Sequence, residues 1–362
     1  MPGTCVMSKI TYICGCYCHN VIMKILLSSV FLLLCSQLAA QDLALADSIV
    51  KYQMASGGWP KNQDWLRGPD PVYMAECRQT GIGSTIDNGA TVGELKVLAK
   101  VLAALTAAEP QPTRVSQPYR DAFFRGLDYL LDIQYQNGGW PQFWPQRSAE
   151  SYSNHITFND NAMVGVMRLL KDVADAKAPY DSVGADPTLR RRCREAFRRG
   201  VQCILDCQIR DGCGRPTVWC QQHDEHTLAP AAARKYELAA CCGHGETAGI
   251  LSLLIDLNDE SPDDTLRYRI GCAVDWLERH AIHDMRLESF TNADGKPDKR
   301  LVHSPGAPDI WARFYDLETG RPVFSDRRGL PLSSFDDVEY ERRNGYAWFG
   351  DSPAKVIRRF RK

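Results

Sequence analysis

Hydrophobic residues recur at intervals of three and four positions over much of the chain. Residues 90–106, 160–174 and 246–257 each place such residues on one face of a helix. The first two faces consist of Val92, Leu95, Leu98, Val101 and Leu102, and of Val164, Met167, Leu169 and Leu170. Strict alternation of apolar and polar residues, which indicates half-buried strands, is scarce. The pattern therefore predicts an all-α fold.

The helical stretches belong to an internal repeat. Residues 126–132, 200–206 and 272–278 align, and they place Leu127, Val201 and Val274 about 73 residues apart. Glycine-rich turns over residues 53–59, 134–140 and 208–214 are similar to one another, and glycine supplies the positive φ that ends a helix. Each repeat is thus a pair of helices. Three pairs and a C-terminal remainder fit the length, either as an open solenoid or as a ring. We expect a closed α/α toroid.

Two turns of this repeat end in tryptophan, at Trp59 and Trp140. One interpretation is that both side chains cap hydrophobic layers at helix ends. The other is that the turns open on the mouth of the ring, where aromatic rings stack on sugars.

The N-terminal residues indicate export. Residues 23–40 contain a lysine, a short apolar stretch and small residues before Gln41, as a signal peptide requires. The stretch is short for a membrane span. Residues 1–22 are interpreted as a start-site artefact, with a small metal-binding arm as the alternative. We expect a single catalytic domain over residues 41–362, secreted or periplasmic, or lipid-anchored at Cys35. Nine cysteines follow residue 40, an odd number that does not form a disulfide framework.

The overall charge limits the partners. The formal net charge is −1, so no general field attracts the chain to nucleic acid or to an anionic membrane. Recognition of a polyanion needs a local basic cluster. Residues 311–329 provide one, because four arginines lie among aromatic residues there, and arginine suits carboxylate recognition. One or two of these arginines are expected to pair with Asp316, Glu318 or Asp326.

Two segments carry an Asp beside Asn at predicted helix starts 73 residues apart, at Asp87 and Asp160. Asp87 or Asn88 is also a good N-cap, which is the structural alternative. In a toroid the two helix starts converge on one face, and two carboxylates with amide neighbours there form a calcium site of oxygen ligands. A polar loop follows Trp219. Its His223 and His226 are candidates for zinc, but no third ligand has metalloenzyme spacing.

Together these segments resemble the family-10 pectate lyases. The similar motifs are residues 56–62, 85–91, 158–161, 221–237 and 313–327, in that order, and the resemblance covers about residues 45–355. It implies an (α/α)3 toroid that cleaves polygalacturonate by calcium-dependent β-elimination. By motif it implies that Asp87 and Asp160 hold calcium and that Arg327 is the catalytic base.

The same resemblance implies a set of substrate-binding residues. They are Arg313, Arg234, Lys61, Asn88, Asn161 and Tyr315. The motif around Arg327 reads Asp-Arg-Arg-Gly here, whereas the family has Gly-Arg-Asp-Gly, so Arg328 is the alternative base. We expect a monomer with no membrane span.

Two other functions fit parts of the pattern. An inverting glycoside hydrolase on an α-toroid would use Asp87 and Asp160 as acid and base. A non-catalytic sugar-binding protein would keep the aromatic residues but would not need the paired Asp and the arginine cluster.

Overall fold

The computed structural model describes residues 40–108 and 113–362. The segment 1–22, Cys35 and the predicted signal peptide as far as residue 39 lie outside the described residues. The described helices are α1 (40–51), α2 (Pro71–Thr80), α3 (Val92–Ala108), α4 (Gln117–Asp132), α5 (Ala162–Ala174), α6 (Pro187–Cys207), α7 (Gly245–Glu260), α8 (Asp264–Arg279), α9 (Tyr340–Gly345) and α10 (Pro353–Phe360). None of them combines the length and hydropathy needed to cross a membrane.

Within residues 40–108 and 113–362, eight short strands form four antiparallel pairs. The strands are β1 (Ile156–Thr157), β2 (Gln222–His223), β3 (Cys241–Cys242), β4 (Met285–Thr291), β5 (Pro297–His303), β6 (Trp311–Ala312), β7 (Phe314–Tyr315) and β8 (Phe349–Gly350). They pair as β1–β2, β3–β7, β4–β5 and β6–β8. The seven-residue hairpin β4–β5 is a feature that the sequence pattern did not predict.

Aspartates fix the starts of several outer helices. The Asp70 carboxylate accepts hydrogen bonds from the backbone N–H groups of Val72 and Tyr73 at the start of α2. Asp186 and Asp263 do the same at α6 and α8, with proline following Asp70 and Asp186. Such caps satisfy N–H groups that have no partner inside the helix.

Three helix pairs, α3/α4, α5/α6 and α7/α8, form the (α/α)3 toroid and confirm the predicted fold class. The predicted helices over 90–106, 160–174 and 246–257 begin within two residues of α3, α5 and α7. Their apolar faces meet in one core, where the side chains of Leu98, Leu127, Met167, Leu170 and Leu254 are fully buried. Burial of this surface is the main stabilising contribution to the toroid.

Four tryptophans occupy equivalent places before successive inner segments. Each indole N–H donates to a carbonyl near the end of the preceding helix, and the pairs are Trp59–Ile49, Trp140–Leu130, Trp219–Ile204 and Trp311–Leu277, at 2.7–2.8 Å. All four rings are buried. The capping interpretation of Trp59 and Trp140 is therefore correct, and neither ring is available for sugar stacking. The similarity of turns 134–140 and 208–214 would equate Gly214 with Trp140, and this is wrong, because a longer turn brings Trp219 to that place.

Glutamines of the repeated turns join one repeat to the next. The Gln134 amide donates to Gly138 O at 2.9 Å and to Ala196 O of α6 at 2.8 Å. Gln53 and Gln208 bond in the same way to α4 and α8. Gly138 must be glycine because φ is +91° and a Cβ there would lie 2.2 Å from the Arg199 carbonyl oxygen.

Candidate active site

A small polar cavity of about 70 Å³ lies where the inner helices α3 and α5 begin. Its lining is rich in carboxylates, amides and cations, and it consists of Lys61, Asp87, Asn88, Gln142, Tyr152, Asn159, Asp160, Gln221, Gln222, Arg234 and Glu237. The structure thus brings together five of the residues predicted for the site, namely Lys61, Asp87, Asn88, Asp160 and Arg234.

The two predicted metal ligands share the cavity but do not occupy equivalent positions. Asn88 and Asp160 have the same left-handed backbone, with φ 52° in both and ψ 28° and 26°. Asp87 therefore corresponds to Asn159, and both are buried. The predicted equivalence of Asp87 and Asp160 is therefore wrong by one residue. As a result one carboxylate lies deep in the cavity and the other lies at its exposed mouth.

Asp87 is held by a lysine and does not cap a helix. Its Oδ1 accepts from the Asn88 N–H at 3.0 Å, and its Oδ2 pairs with Lys61 Nζ. Helix α3 begins only at Val92. The N-cap alternative is therefore wrong for this carboxylate.

The charged form of Asp160 is disfavoured by its surroundings. Partial desolvation of its carboxyl, together with the nearby Glu246 and Asp87 carboxylates, raises the pKa of Asp160 above its usual value, although Arg313 and Arg234 act in the opposite direction. Its carboxylate accepts one hydrogen bond within the described residues, from Asn159 Nδ2 at 3.0 Å. Added positive charge at this point would be stabilised.

The cavity also contains two amide oxygens that could bind a metal ion. Gln142 Oε1 and Gln222 Oε1 are buried and have no hydrogen-bond partner among the described residues. Calcium takes six to eight oxygen ligands from carboxylates, amides and carbonyls. With Asp87 and Asp160, this donor set fits a calcium ion.

Sequence reasoning missed Gln142, Gln221 and Gln222. A signal for two of them was present, because Lys61, Gln142, Gln221 and Arg313 each stand two residues after one of the four repeat tryptophans. The first three line the cavity, and Arg313 hydrogen-bonds to Asn159 in its wall.

Within the described residues, one further group of side chains could hold a metal ion. It consists of His155, Asp224 and Glu225. His155 Nδ1 is hydrogen-bonded to Glu225 Oε2 at 2.8 Å, and Asp224 Oδ1 accepts three hydrogen bonds within its own turn. His223 uses both ring nitrogens on backbone groups of Cys220 and Leu228. These contacts leave few free donors, and the group suits calcium less well than the cavity does.

Arg234 lies at the cavity in a fixed orientation. Its guanidinium makes a two-point ion pair with Glu237, and Glu237 Oε1 also accepts from the Tyr346 hydroxyl at 3.0 Å. Burial alone would raise the pKa of Glu237, but the Arg234 guanidinium holds that pKa below its usual value. The ion pair thus fixes the position of the Arg234 guanidinium beside the cavity.

Arg313 and Tyr315 lie behind the cavity. Arg313 is buried and pairs with Glu246 at 2.5 Å and with Asn159 Oδ1 at 3.2 Å. Tyr315 is only 1% exposed, and its hydroxyl bonds to the backbone of Ala312 and His280. The predicted substrate contact by Tyr315 is therefore wrong, since its side chain belongs to the core.

Arg327 does not line the cavity. Its side chain is 60% exposed and makes a two-point ion pair with Glu341 of α9 at 3.0 and 3.1 Å. Its guanidinium lies 5.7 Å from the Tyr236 ring, where Arg234 also lies, at 5.0 Å. Hydrogen bonding to Glu341 raises the pKa of Arg327. Arg328 points to buried Asp326, as one of the expected arginine pairs.

The two asparagines predicted to bind substrate have different surroundings. Asn88 lines the cavity and donates to Asn62 Oδ1 at 3.0 Å. Asn161 lies against Gly249 of α7, where even a Cβ would meet its amide oxygen. Close packing of α5 on α7 accounts for this glycine, and it directs the Asn161 side chain away from the cavity lining.

The chain matches a known protein family and solved structures. The profile of the family described as Pectic acid lyase matches residues 53–357. The chain belongs to this family. Among solved structures it is similar to a family 10 polysaccharide lyase from Cellvibrio cellulosa, with 31% identity, a TM-score of 0.73, and coverage of 88% of this chain and 91% of that one. No curated protein matches.

A second similar structure is an aspartate-to-alanine mutant of the family 10 lyase from Cellvibrio cellulosa in complex with trigalaturonic acid, with 30% identity, a TM-score of 0.73, and coverage of 88% of this chain and 92% of that one. Membership of the pectic acid lyase family identifies the chain as a polysaccharide lyase of the pectate lyase type. It disfavours both alternatives from the sequence, the inverting hydrolase and the non-catalytic binding protein.

Proposed function

We propose that the protein cleaves polygalacturonate by calcium-assisted β-elimination, with Asp87 and Asp160 as metal ligands and Arg327 as the base. The observation that carries the proposal is the oxygen-rich cavity, in which the Asp87 and Asp160 carboxylates, and two amide oxygens without a hydrogen-bond partner among the described residues, lie beside Arg234. The similar Cellvibrio structure with trigalaturonic acid supports an oligogalacturonate ligand.

The proposed division of roles follows from the charges. Asp87 and Asp160 would hold the ion, with amide oxygens of Gln142 and Gln222 available to complete its shell. Calcium bound there supplies Lewis-acid stabilisation for negative charge on a galacturonate carboxylate. Arg234 would bind a neighbouring carboxylate through its planar guanidinium, and Lys61 and Asn88 would contact the sugar from the cavity wall.

Arg327 would remove the proton from C5, and the C4–C5 double bond would form as the bond from C4 to the glycosidic oxygen breaks. The departing oxygen would take a proton from water. This requires Arg327 to part from Glu341, because the ion pair raises its pKa and a base needs a lowered one. The nearby Arg234 acts in the lowering direction. Arg313 is proposed to support the site through Asn159 without touching the sugar.

The test is incubation with polygalacturonate, with and without a chelator, while ultraviolet absorbance is followed. We expect unsaturated, absorbing products with calcium and loss of at least about 95% of the rate on chelation, because the proposed transition state needs the ion. New reducing ends without absorbance would indicate hydrolysis and contradict the proposal. We also propose an exported enzyme, on the basis of residues 23–40.

A further inference from the structure

We infer that Lys61 is an internal cation that occupies Asp87 in the metal-free enzyme and leaves it when calcium binds. The inference deepens the proposed function and depends on it. It concerns the group that balances the charge of Asp87 when no metal is bound.

The ion pair between Lys61 and Asp87 is largely buried. The two side chains are 28% and 4% exposed, and Lys61 Nζ donates to Asp87 Oδ2, its one hydrogen-bond acceptor within the described residues. The ammonium also lies 5.7 Å from the centre of the Phe143 ring. A carboxylate this buried needs a partner, because an unpaired buried charge is strongly unfavourable.

The fold does not require a lysine at this position. The equivalent residues of the next two repeats are Gln142 and Gln221, which are neutral and line the same cavity. The four repeat tryptophans fix the backbone two residues earlier in the same way. Lys61 differs from Gln142 and Gln221 in its charge. It differs from Arg313, which pairs with Glu246, because its charge is directed at a proposed metal ligand.

Calcium and the ammonium compete for the same carboxylate. Asp87 Oδ1 is engaged by the Asn88 N–H, and Oδ2 by Lys61. A divalent ion at Oδ2 would repel the ammonium at a few ångströms, where Coulomb interactions are strong. Metal binding must therefore displace Lys61, and the displacement lowers the apparent calcium affinity. The released ammonium stays tethered at the cavity, where it can meet a substrate carboxylate.

Calcium titration of variants by calorimetry tests the competition. Lys61→Gln installs the residue that the second and third repeats carry, so the fold should accept it. We expect it to bind calcium about tenfold more tightly than wild type, since the competitor is gone. The reciprocal variant Gln221→Lys, which adds an ammonium to the cavity without removing a proposed calcium ligand, should bind calcium about tenfold more weakly.

Lys171→Gln is the matched control. Lys171 is 23% exposed and also pairs with carboxylates, Asp175 at 2.7 Å and Glu260 at 2.8 Å, but it lies outside the cavity. Its loss should leave the calcium dissociation constant within about twofold.

A measurement on the wild-type protein removes dependence on folding of the variants. Mass spectrometry after brief amine acylation should show several-fold more labelling of Lys61 with calcium than without, and unchanged labelling of Lys171. Unchanged Lys61 labelling, or Lys61→Gln that binds calcium no more tightly, would overturn the inference while the wild type still binds calcium and yields unsaturated product. A wild type that does neither overturns the proposed function and this inference with it.

Discussion

The two sides of the candidate site differ in how their charges are satisfied. The carboxylate side, Asp87 and Asp160, stands at helix starts of the repeat. On the arginine side, Arg234 lies on the irregular segment after α6, and Arg313 and Arg327 lie on the segment between α8 and α9. Each of these arginines is paired with its own glutamate, and the pairs are Arg234–Glu237, Arg313–Glu246 and Arg327–Glu341.

The carboxylate side, by contrast, has oxygen atoms that could still bind a cation. Asp160 accepts a single hydrogen bond from within the described residues, and two neighbouring amide oxygens have no partner there. A site built in this way can accept a cation on one side while the other side keeps its guanidiniums oriented. Metal affinity and turnover should therefore respond to different substitutions.

The largest effect is expected from Arg327→Ala. If Arg327 is the base, the turnover number on polygalacturonate should fall about 1000-fold, within the usual contribution of a general base. The calcium dissociation constant should stay within about twofold, because Arg327 lies outside the metal cavity. Rates from unsaturated-product absorbance and calorimetric titration measure the two quantities.

Arg328→Ala is the control for this experiment. Arg328 is half-exposed and engaged by Asp326, so its loss should change turnover by less than about threefold. Equal losses of turnover in the two variants would contradict the assignment of Arg327 as the base. A larger loss in Arg328→Ala would indicate that Arg328 is the base.

Asp160→Asn should have the next largest effect, and on the other quantity. Removing one ligand charge should weaken calcium binding about 100-fold, since ligand charge count tunes calcium affinity. Turnover at saturating calcium should recover in part. Glu225→Gln, in the group with His155 and Asp224, should leave calcium binding within about threefold. If Glu225→Gln were the more damaging variant, the metal would have to be assigned to that group.

The repeat was predictable from sequence because its signals are local. Periodic leucines and glycine-rich turns located the starts of α3, α5 and α7 within two residues. The same logic failed by one residue at Asp87 and Asp160, because both segments contain Asp next to Asn and only the backbone distinguishes Asn88 from Asp87 as the partner of Asp160. A shift of one position exchanges a buried side chain for an exposed one.

The arginine side was predictable in composition and not in contacts. Arg313 and Arg327 lie in one cluster of the sequence, yet the fold buries the first and leaves the second exposed. Their glutamates come from α7 and α9, 67 and 14 residues away. Nothing local in the sequence specifies such partners. Tyr315 was misjudged for the same reason, because its neighbour β3 is distant in the chain.

The smallest expected effects compare two ion pairs on the arginine side. Glu246→Gln leaves the Arg313 guanidinium buried without its counterion, so the free energy of unfolding should fall by about 3 kcal/mol. For a chain of this size the melting temperature would drop by about 5 °C. Glu341→Gln breaks the exposed pair with Arg327, and its melting temperature should stay within about 1 °C, because exposed pairs contribute little. Scanning calorimetry without calcium measures both. Equal shifts in the two variants would mean that burial does not separate these pairs. Stability would then give no reason to treat the buried Arg313 as a supporting residue and the exposed Arg327 as one that can leave its glutamate.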